Sequence, residues 1–406
     1  MINYEVITRI EDLERYRVEW GRLLSVTPHA SWFQSFSWFE MRWKHRLETD
    51  ESLKVFVVKA DDRLIGIVPL MVQRKPTALG SIRKLRFPVE NWCSFYGALG
   101  LDPEMIMSEA ANYFRNAQNK GADGFDLIEF TNLPDYRAQG GVPSSSPEPI
   151  LSGMPTGRSE VSKCSEVAML YMEGTWDSYW ESRKAQKNRR RNVERCARRL
   201  SELGEVTYLR SRPEAGSTPD WSHYEACEKL ASMSWQDGLV DGNTLHHEEV
   251  KPFLRDVHEA AVKEGCSDLT LLMLDGRPVA FTYGYYFQGY LDLMRVGFDP
   301  SLAKFAPGNV LWTRLIEDSY ALGDKILDYG PSCLDYKKFW MTCLEQTYQV
   351  IEYGTSPAAK AMRLARKLKS KIAIGENADH TNEEAKERAA KNRQQQVSEP
   401  TGHAVS

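Results

Sequence analysis

Carboxylate, phenol and ammonium side chains are concentrated in one short segment, residues 327–340, with the sequence LDYGPSCLDYKKFW. Its ionisable members are Asp328, Tyr329, Asp335, Tyr336, Lys337 and Lys338. Such groups can move protons and stabilise negative charge that develops during a group-transfer reaction. The same residues also have ordinary structural uses. Asp328 can be a turn residue at the end of a strand, and Tyr336 can be a half-buried aromatic residue.

A strand-like run passes into a helix-like run at residues 302–312, LAKFAPGNVLW. The first amides of a helix have no intrahelical partner, so this junction can bind an anion or can simply be a helix start. Lys304 supplies a positive charge, and Gly308 permits close approach of the backbone to a ligand. Pro307 has no N–H to donate, and proline is common in the first turn of ordinary helices. Both interpretations stay open on these residues alone.

Residues 183–200, RKAQKNRRRNVERCARRL, predict a strongly basic helix. Val193, Cys196 and Leu200 recur at helical spacing and form a thin apolar stripe, so one side packs and the rest is positive. This surface could bind a nucleotide, a phosphorylated acceptor, an anionic polymer or RNA. It could equally be a solvated helix balanced by nearby glutamates. The candidate anion-binding residues are Arg183, Arg189, Arg190 and Arg191.

The overall composition narrows the class of protein. The chain has 406 residues, of which 42% are hydrophobic, so two domains are expected. A net charge of -4 requires neither nucleic acid nor a membrane as partner. The seven cysteines lack C-x-x-C spacing and HHEE at residues 246–249 lacks a second histidine, so we expect buried free thiols and no metal. Without a long apolar run or a signal-like N-terminus, the chain is predicted to be cytoplasmic, with no integral membrane segment.

The first half of the chain predicts strands alternating with helices. The run LKVFVVKADDRLIGIVPLMVQ has the pattern of a hairpin around an Asp-Asp turn. A helix-like stretch that ends near Gly121 precedes the apolar strand FDLIEF. The aromatic-rich stretch SWFQSFSWFEMRWKH should pack inside the first domain, with a possible secondary role at a cleft wall. Its main packing residues are expected to be Trp32, Phe33 and Trp38.

The second half repeats this order. One long helix is predicted over residues 176–203, and an antiparallel meander begins near Asp268. The junction described above then leads into a helix that stops at Gly323 and into the strand KILDYG. Hairpin, strand, helix and strand therefore occur in each half, which indicates an internal duplication.

These patterns predict an α/β (α+β) protein with two similar domains. The first domain is expected at 1–160 and ends in a connection rich in Pro, Gly and Ser. The second is expected at 161–356. Residues 357–406 should form a basic helix followed by a disordered tail, because the tail lacks large apolar residues.

The chain resembles the GNAT acyltransferase superfamily, and most closely a bacterial family that includes cellulose-biosynthesis acetyltransferase-like proteins, related to Fem-type aminoacyl transferases. Four pieces in a fixed order carry the resemblance: SWFQSFSWFEMRWKH, LIGIVPLMVQ, SRKAQKNRRR, and FAPGNVLW followed by LDYGPSCLDYKKFW. The resemblance implies tandem GNAT-like domains, each a mixed, mostly antiparallel sheet flanked by helices. It also implies that the turn before the helix cradles the pyrophosphate of coenzyme A and that the preceding strand pairs with the pantetheine arm. The implied cofactor-binding residues are Arg295, Val296, Gly297, Lys304, Gly308 and Asn309.

The same resemblance suggests roles for three residues. Lys337 would stabilise the oxyanion, Tyr336 would donate a proton to the leaving group, and Asp328 would orient or deprotonate the acceptor amine. The leading hypothesis is an N-acyltransferase that moves an acyl group from acyl-CoA, such as acetyl-CoA, to an amine of a sugar, lipid or cell-envelope precursor. One alternative is a Fem-like transferase that uses aminoacyl-tRNA. Another is a non-enzymatic protein that binds RNA or an anionic polymer.

Overall fold

The structure is a computed structural model that describes residues 1–45, 50–77, 80–89, 92–117, 124–135, 158–233 and 245–368. The elements of the first half are β1 (Ile2–Ile7), α1 (Arg17–Val26), α2 (Phe36–His45), β2 (Glu51–Leu53), β3 (Val55–Ala60), β4 (Arg63–Val68), β5 (Met71–Thr77), β6 (Gly80–Arg86), α3 (Pro103–Ala117) and β7 (Leu127–Leu133). The predicted hairpin is the pair β3 and β4, and the predicted helix and strand are α3 and β7.

The elements of the second half are β8 (Ser159–Tyr171), α4 (Trp176–Ser182), α5 (Lys187–Ser201), β9 (Val206–Ser211), α6 (Trp221–Met233), α7 (Lys251–Lys263), β10 (Ser267–Leu274), β11 (Arg277–Phe287), β12 (Tyr290–Phe298), α8 (Pro307–Leu322), β13 (Ile326–Pro331) and β14 (Cys343–Tyr353). Residues 357–368 are helical, as the basic composition of this region led us to expect. The predicted tail lies outside the described residues from 369 onward.

The strands form two sheets. A small sheet has the order β1-β3-β4, and a large sheet has the order β2-β5-β6-β7-β14-β8-β13-β12-β11-β10-β9. Neighbouring strands of the large sheet are antiparallel except β6–β7 and β12–β13, which are parallel. A parallel pair needs a crossover, and here α3 and α8 provide it, one in each half. The prediction of a mixed, mostly antiparallel fold with a strand-helix-strand unit in each half is confirmed.

The large sheet runs through both halves of the chain. β14, near the end of the second half, pairs with β7 of the first half on one side and with β8 on the other. The domain limits at residues 160 and 356 stay predictions, and most of the Pro/Gly/Ser-rich connection lies outside the described residues.

The predicted long helix over residues 176–203 is instead two helices, α4 and α5, separated by a 3-10 turn at Arg183–Gln186. The guanidinium of Arg183 donates to the carbonyl oxygens of Phe339 (3.1 Å) and Met341 (3.0 Å). This contact ties the turn to the segment before β14. A tertiary contact of this kind leaves no trace in the helical periodicity of the sequence.

The aromatic stretch of the first half is buried, but it packs against the second half and not within the first alone. The ring of Trp32 lies 4.5 Å from that of Tyr285, and the ring of Trp38 lies 5.3 Å from that of Phe253. The indole N–H of Trp32 also donates to Glu264 at 2.7 Å. This stretch therefore forms the junction between the halves.

All seven cysteines carry free thiols. The expectation that they are buried is right for Cys93, Cys196 and Cys227. Cys266, Cys333 and Cys343 are half-buried, and Cys164 is exposed because it lies on a solvent-facing part of β8. Within the described ranges, no helix is long and apolar enough to cross a membrane. Those ranges also contain no group of three or more His, Cys, Asp or Glu side chains that could hold a metal ion.

Candidate active site

A cavity of about 300 Å³ lies between the end of β12 and the start of α8; we call it the β12–α8 cavity. It is lined by Phe281, Val296, Gly297, Phe298, Ala303, Ala306, Gly308, Asn309, Trp312 and Tyr336. The fold thus brings together four of the implied cofactor-binding residues and one implied catalytic residue, Tyr336. Trp312, which the sequence analysis did not single out, also lines the cavity, and its ring centroid lies 5.6 Å from that of Tyr336.

The helix start at this cavity retains one amide for a ligand. α8 begins at Pro307, directly after Ala306 in the left-handed region (φ 45°, ψ 55°). The amides of Asn309 and Val310 donate to the carbonyl of Ala306 at 3.0 and 3.3 Å, and proline has no N–H. The Gly308 amide is therefore the donor of this first turn for which the described part of the chain shows no partner.

Gly308 is open to the cavity. A Cβ built on it would meet only Phe298, at an ordinary contact distance of 3.7 Å. Packing within the protein therefore does not require glycine here. Gly297 differs, because a Cβ there would lie 2.5 Å from the ring of Phe281. Of the two glycines, Gly308 is the one whose missing side chain leaves space for a ligand.

Two implied cofactor-binding residues do not line this cavity. Arg295 precedes Val296 on β12, and since successive side chains of a strand point to opposite faces, it lies on the other face of the sheet. Its guanidinium is buried 5.3 Å from the ring centroid of Trp92, and burial lowers its pKa to about 10. Lys304 places its ammonium 5.0 Å from the ring of Phe305.

The two parallel strands beside the cavity separate after a short pairing. β12 and β13 pair only at Tyr290–Ile326, Leu291–Leu327 and Asp292–Asp328, and then diverge. Beyond Asp292 and Asp328 the two strands form no further ladder pair, and we call this opening the wedge. On its β13 side the amide and carbonyl of Gly330 are bound by Asp328 and Lys337, so the backbone left for a ligand is that of β12. On its other edge, β12 is bulged against β11 at Gly284, where a Cβ would collide with the carbonyl oxygen of Asp292.

Lys337 is buried beside this wedge. Its ammonium donates to three consecutive carbonyl oxygens, those of Gly330 (3.1 Å), Pro331 (3.2 Å) and Ser332 (2.9 Å). Burial lowers the pKa of Lys337 to about 8, although the charge of Asp328 opposes this shift. Lys337 therefore holds the loop after β13 in place and also brings a positive charge to the wedge.

Asp328 is buried and accepts three hydrogen bonds. Its Oδ1 accepts from the Ser94 hydroxyl (2.8 Å) and the Gly330 amide (2.7 Å), and its Oδ2 accepts from the Tyr290 hydroxyl (3.0 Å). Gly330 adopts φ 81°, a conformation that favours glycine, which explains the Asp-x-Gly spacing physically. Burial raises the pKa of Asp328 to about 6, while these donors and Lys337 act to lower it.

Asp292 is a candidate site residue that the sequence reasoning missed. It is buried on β12 directly beside Asp328, and its Oδ2 has no hydrogen-bond partner among the described residues. Burial, followed by the charge of Asp328, raises the pKa of Asp292 well above its usual range. A signal was present in the sequence, since an aspartate interrupts the apolar run YLDLM and the strand ILDYG carries the same Leu-Asp pair.

Tyr336 borders the β12–α8 cavity and remains partly exposed. Partial burial raises the pKa of its phenol, so the phenol keeps its proton at neutral pH. A protonated phenol in this position is suited to donate a proton.

The four candidate anion-binding arginines fall into two groups. Arg183 and Arg190 are bonded within the protein, the latter to Glu194 (3.1 Å) and to the carbonyl of Trp180 (3.0 Å). Arg189 donates to the carbonyl of Asp335 at 3.0 Å. Arg191 instead lies on the outer face of α5, in a shallow groove formed by Asn188, Arg191, Asn192, Glu194, Arg195 and Arg198. We call this groove the outer arginine face.

A second cavity, of about 370 Å³, lies between the two halves; we call it the interhalf cavity. The second half contributes Met169, Tyr171, Tyr290 and Glu345, and the first half contributes residues including Gln34 and Phe95. Four carboxylates line it: Asp102, Glu104, Asp135 and Glu345. Its lining in the described part of the chain includes no lysine or arginine. Tyr290 is thus shared between this cavity and Asp328.

Comparison with known proteins gives a domain match in the second half of the chain and a shared fold. Residues 187–338 match the family model described as an acetyltransferase (GNAT) domain. The matched region contains both the wedge and the β12–α8 cavity. No curated protein matches the sequence.

Solved structures share the fold at low identity. FemX is 12% identical and superimposes with a TM-score of 0.54, covering 88% of this chain and 99% of that one. A tandem GNAT protein from the clavulanic acid biosynthesis pathway is also 12% identical, with a TM-score of 0.46 and coverage of 88% and 100%. The C-terminal domain of a putative lysylphosphatidylglycerol synthetase from Agrobacterium fabrum is 12% identical, with a TM-score of 0.45 and coverage of 75% and 85%. The FemX likeness shows a shared fold and does not identify a substrate.

Proposed function

We propose that the protein is a cytoplasmic N-acyltransferase that moves an acyl group from acyl-CoA to an amine of a sugar, lipid or cell-envelope precursor. The observation that carries this proposal is the β12–α8 cavity, which joins Val296, Gly297, Gly308 and Asn309 to Tyr336 beside the wedge of β12 and β13. Unpaired backbone along the wedge can bind an extended amide-containing arm, and the free Gly308 amide can bind a phosphate oxygen. Acyl-CoA carries both groups.

In the proposed reaction the acceptor nitrogen attacks the thioester carbonyl carbon. The new C–N bond replaces the C–S bond, whose electron pair leaves with sulfur. Tyr336, which borders the cavity, protonates the leaving thiolate, and Asp328 is the base for the amine. Lys337 stabilises the oxyanion electrostatically from the loop that it holds, since a positive charge acts strongly in a site shielded from water.

Acyl-CoA binding tests the proposal directly. Acetyl-CoA and longer acyl-CoAs should bind the wild-type protein in isothermal titration calorimetry and raise its melting temperature. Gly308→Val should weaken this binding at least about tenfold, because its side chain would project into the cavity, where a Cβ meets only Phe298, at 3.7 Å. Gly21→Val is the matched control: Gly21 also lies in a helix, with open space around it, so the change in helix propensity is similar.

Two outcomes of this experiment would count against the proposal. If no acyl-CoA bound at saturating concentration, acyl-CoA would not be the acyl donor of this protein. Equal losses in Gly308→Val and Gly21→Val would mean that binding does not occur at the β12–α8 cavity.

The outer arginine face favours a second candidate, a Fem-like transferase that uses aminoacyl-tRNA. Arg191, Arg195 and Arg198 lie on one side of α5 and can contact successive phosphates of an RNA backbone. Charged tRNA should then protect the protein in thermal unfolding, and acetyl-CoA should not. Protection by uncharged RNA, together with no acyl transfer from either donor, would instead favour a non-enzymatic RNA-binding protein.

A further inference from the structure

We propose that Asp292 and Asp328 share a single proton, which resides on Asp292, and that Tyr290 carries the proton of the acceptor amine from the interhalf cavity to Asp328. This inference rests on the proposed acyl transfer. It adds Asp292 as a residue that holds the proton and Tyr290 as the group that faces the acceptor.

The position of the two aspartates leads to a shared proton. They are paired residues on adjacent parallel strands, and both side chains are buried, at 5% and 1% exposure. Two carboxylates this close in a medium of low dielectric constant cannot both be ionised without a large cost. One proton therefore stays on the pair at neutral pH.

The hydrogen bonds decide which aspartate carries the proton. Asp328 accepts from Ser94, Tyr290 and Gly330, and donors of this kind stabilise the ionised form. Asp292 has an oxygen for which the described residues provide no donor. Asp292 is therefore the neutral acid and Asp328 the carboxylate.

The charged and titratable groups around the pair are consistent with this assignment. Burial, and then the charges of Asp292 and Asp328, raise the pKa of the Cys93 thiol well above its usual range, so it stays neutral. Lys337 approaches from the loop after β13, and Arg295 lies further along β12. Burial, and then the charges of Asp328, Asp292 and Glu345, raise the pKa of Tyr290 well above its usual range. Its hydroxyl is therefore protonated.

Tyr290 connects the pair to the acceptor. Its side chain lines the interhalf cavity, and its hydroxyl lies 3.0 Å from Asp328 Oδ2. An amine bound in that cavity would therefore meet the phenol before either carboxylate. The described lining carries four carboxylates, one of which, Glu345, accepts from the Tyr171 hydroxyl, together with His29 and no lysine or arginine, and this favours an amine over an anionic acceptor.

The proton transfers balance over one turnover. The acceptor reacts as a neutral amine, its ammonium form having first lost one proton to water. As the nitrogen attacks the thioester carbon, it gives its second proton to the Tyr290 oxygen, and Tyr290 gives its own proton to Asp328. The thiolate receives a proton from Tyr336. The pair then holds two protons and returns one to water through Tyr290, while the Tyr336 phenolate takes one from water.

Infrared difference spectroscopy tests the shared proton without any substrate. At pH 7, the wild type minus Asp292→Asn spectrum should show the carbonyl band of a protonated carboxylic acid, and the wild type minus Asp328→Asn spectrum should not. Absence of this band would overturn the shared proton. Loss of the band in Asp328→Asn alone would reverse the assignment.

Tyr290→Phe tests the relay. Its turnover number should fall about a hundred-fold, the usual contribution of a positioned acid or base, with acetyl-CoA affinity unchanged. The acid limb of its pH–rate profile should move upward, because Asp328 loses one donor. Rates are measured as thiol release from acetyl-CoA with glucosamine, ethanolamine or lysine as the amine probe, and with water alone.

The outcomes separate this inference from the proposed function. Wild-type turnover by Tyr290→Phe would overturn the relay and leave the acyltransferase proposal intact. Failure of the wild type to bind acetyl-CoA or to release thiol with any probe would overturn the proposed function and the relay together. The infrared result would still decide whether the aspartates share a proton.

Discussion

The ammonium of Lys337 lies 3.1 Å from the carbonyl oxygen of Gly330, the residue whose amide binds Asp328. Lys337 and Asp328 are therefore coupled through a single glycine in the left-handed conformation. The Lys337 ammonium also donates to the carbonyl oxygens of Pro331 and Ser332. It therefore holds the loop after β13 in addition to placing a positive charge near Asp328.

Replacing Lys337 should harm both turnover and stability. Lys337→Met should lower the turnover number about a hundred-fold or more, as does the loss of one oxyanion donor, with acetyl-CoA affinity nearly unchanged. Its melting temperature should also fall, because three loop carbonyls lose their donor. Steady-state kinetics, calorimetry and thermal unfolding measure the three effects.

Lys338→Met is the control for that change. Lys338 is exposed and pairs with Asp335, so its removal should leave both turnover and melting temperature close to the wild type. If Lys338→Met lowered turnover and Lys337→Met did not, the catalytic role would belong to Lys338 and not to Lys337.

The pH–rate profile should be bell-shaped, with limbs near the pKa values of Asp328, about 6, and Lys337, about 8. The first limb reports formation of the Asp328 base, and the second reports loss of the Lys337 charge. The basic limb should disappear from the residual activity of Lys337→Met. Its persistence in that variant would assign the limb to another group.

The contribution of Lys337 to stability should change with pH in the direction opposite to its contribution to activity. Its folded pKa of about 8 lies below the ordinary 10.5, so between these values the unfolded chain binds more protons. The free energy of unfolding due to this group should therefore rise with pH where activity falls. Urea unfolding of the wild type and of Lys337→Met from pH 7.5 to 10 would show the difference, and a parallel fall of both would contradict it.

The outer arginine face should control salt-dependent binding of a polyanion. Replacing Arg191, Arg195 and Arg198 together by Gln should flatten the slope of log affinity against log salt for tRNA, because fewer counterions are released. Fluorescence anisotropy at several salt concentrations measures this slope.

A matched triple replacement controls for net charge. Arg9, Arg63 and Arg314 are exposed and lie outside α5, and their replacement by Gln removes the same charge. Equal slopes in the two triple variants would mean that the outer arginine face does not contact tRNA and that α5 is a solvated helix.

The hydrogen bond from Trp32 to Glu264 should stabilise the junction between the halves. Trp32→Phe keeps an aromatic ring but removes the donor, and it should lower the free energy of unfolding by about 1–3 kcal/mol. Trp176→Phe is a suitable control, because the described residues show no hydrogen bond of its indole and its ring stacks on that of Trp180. Equal effects in urea unfolding would show that the bond contributes nothing beyond packing.

The sequence by itself determined several elements of each half, including the α8 helix and the meander that carry the site. The β3–β4 hairpin, the α3 and α8 helices and the meander β10–β12 follow from local periodicity and turn residues, because these depend on neighbours within a few positions. The concentration of ionisable side chains in residues 327–340 could be read for the same reason, since they are adjacent in the chain.

Only the tertiary structure decided which residues meet. Asp292 lies beside Asp328 because β12 and β13 pair in a particular register, and register between distant strands is set by the packing of the whole sheet. Arg295 lies away from the β12–α8 cavity because the alternation of β12, together with its bulge, turns it to the other face. Arg183 is half-buried and bound, whereas Arg191 is exposed, because Arg183 donates to the carbonyls of Phe339 and Met341 and Arg191 lies on the outer face of α5. Charge can be read from a residue type, but its availability to a ligand depends on contacts made by residues far away in the chain.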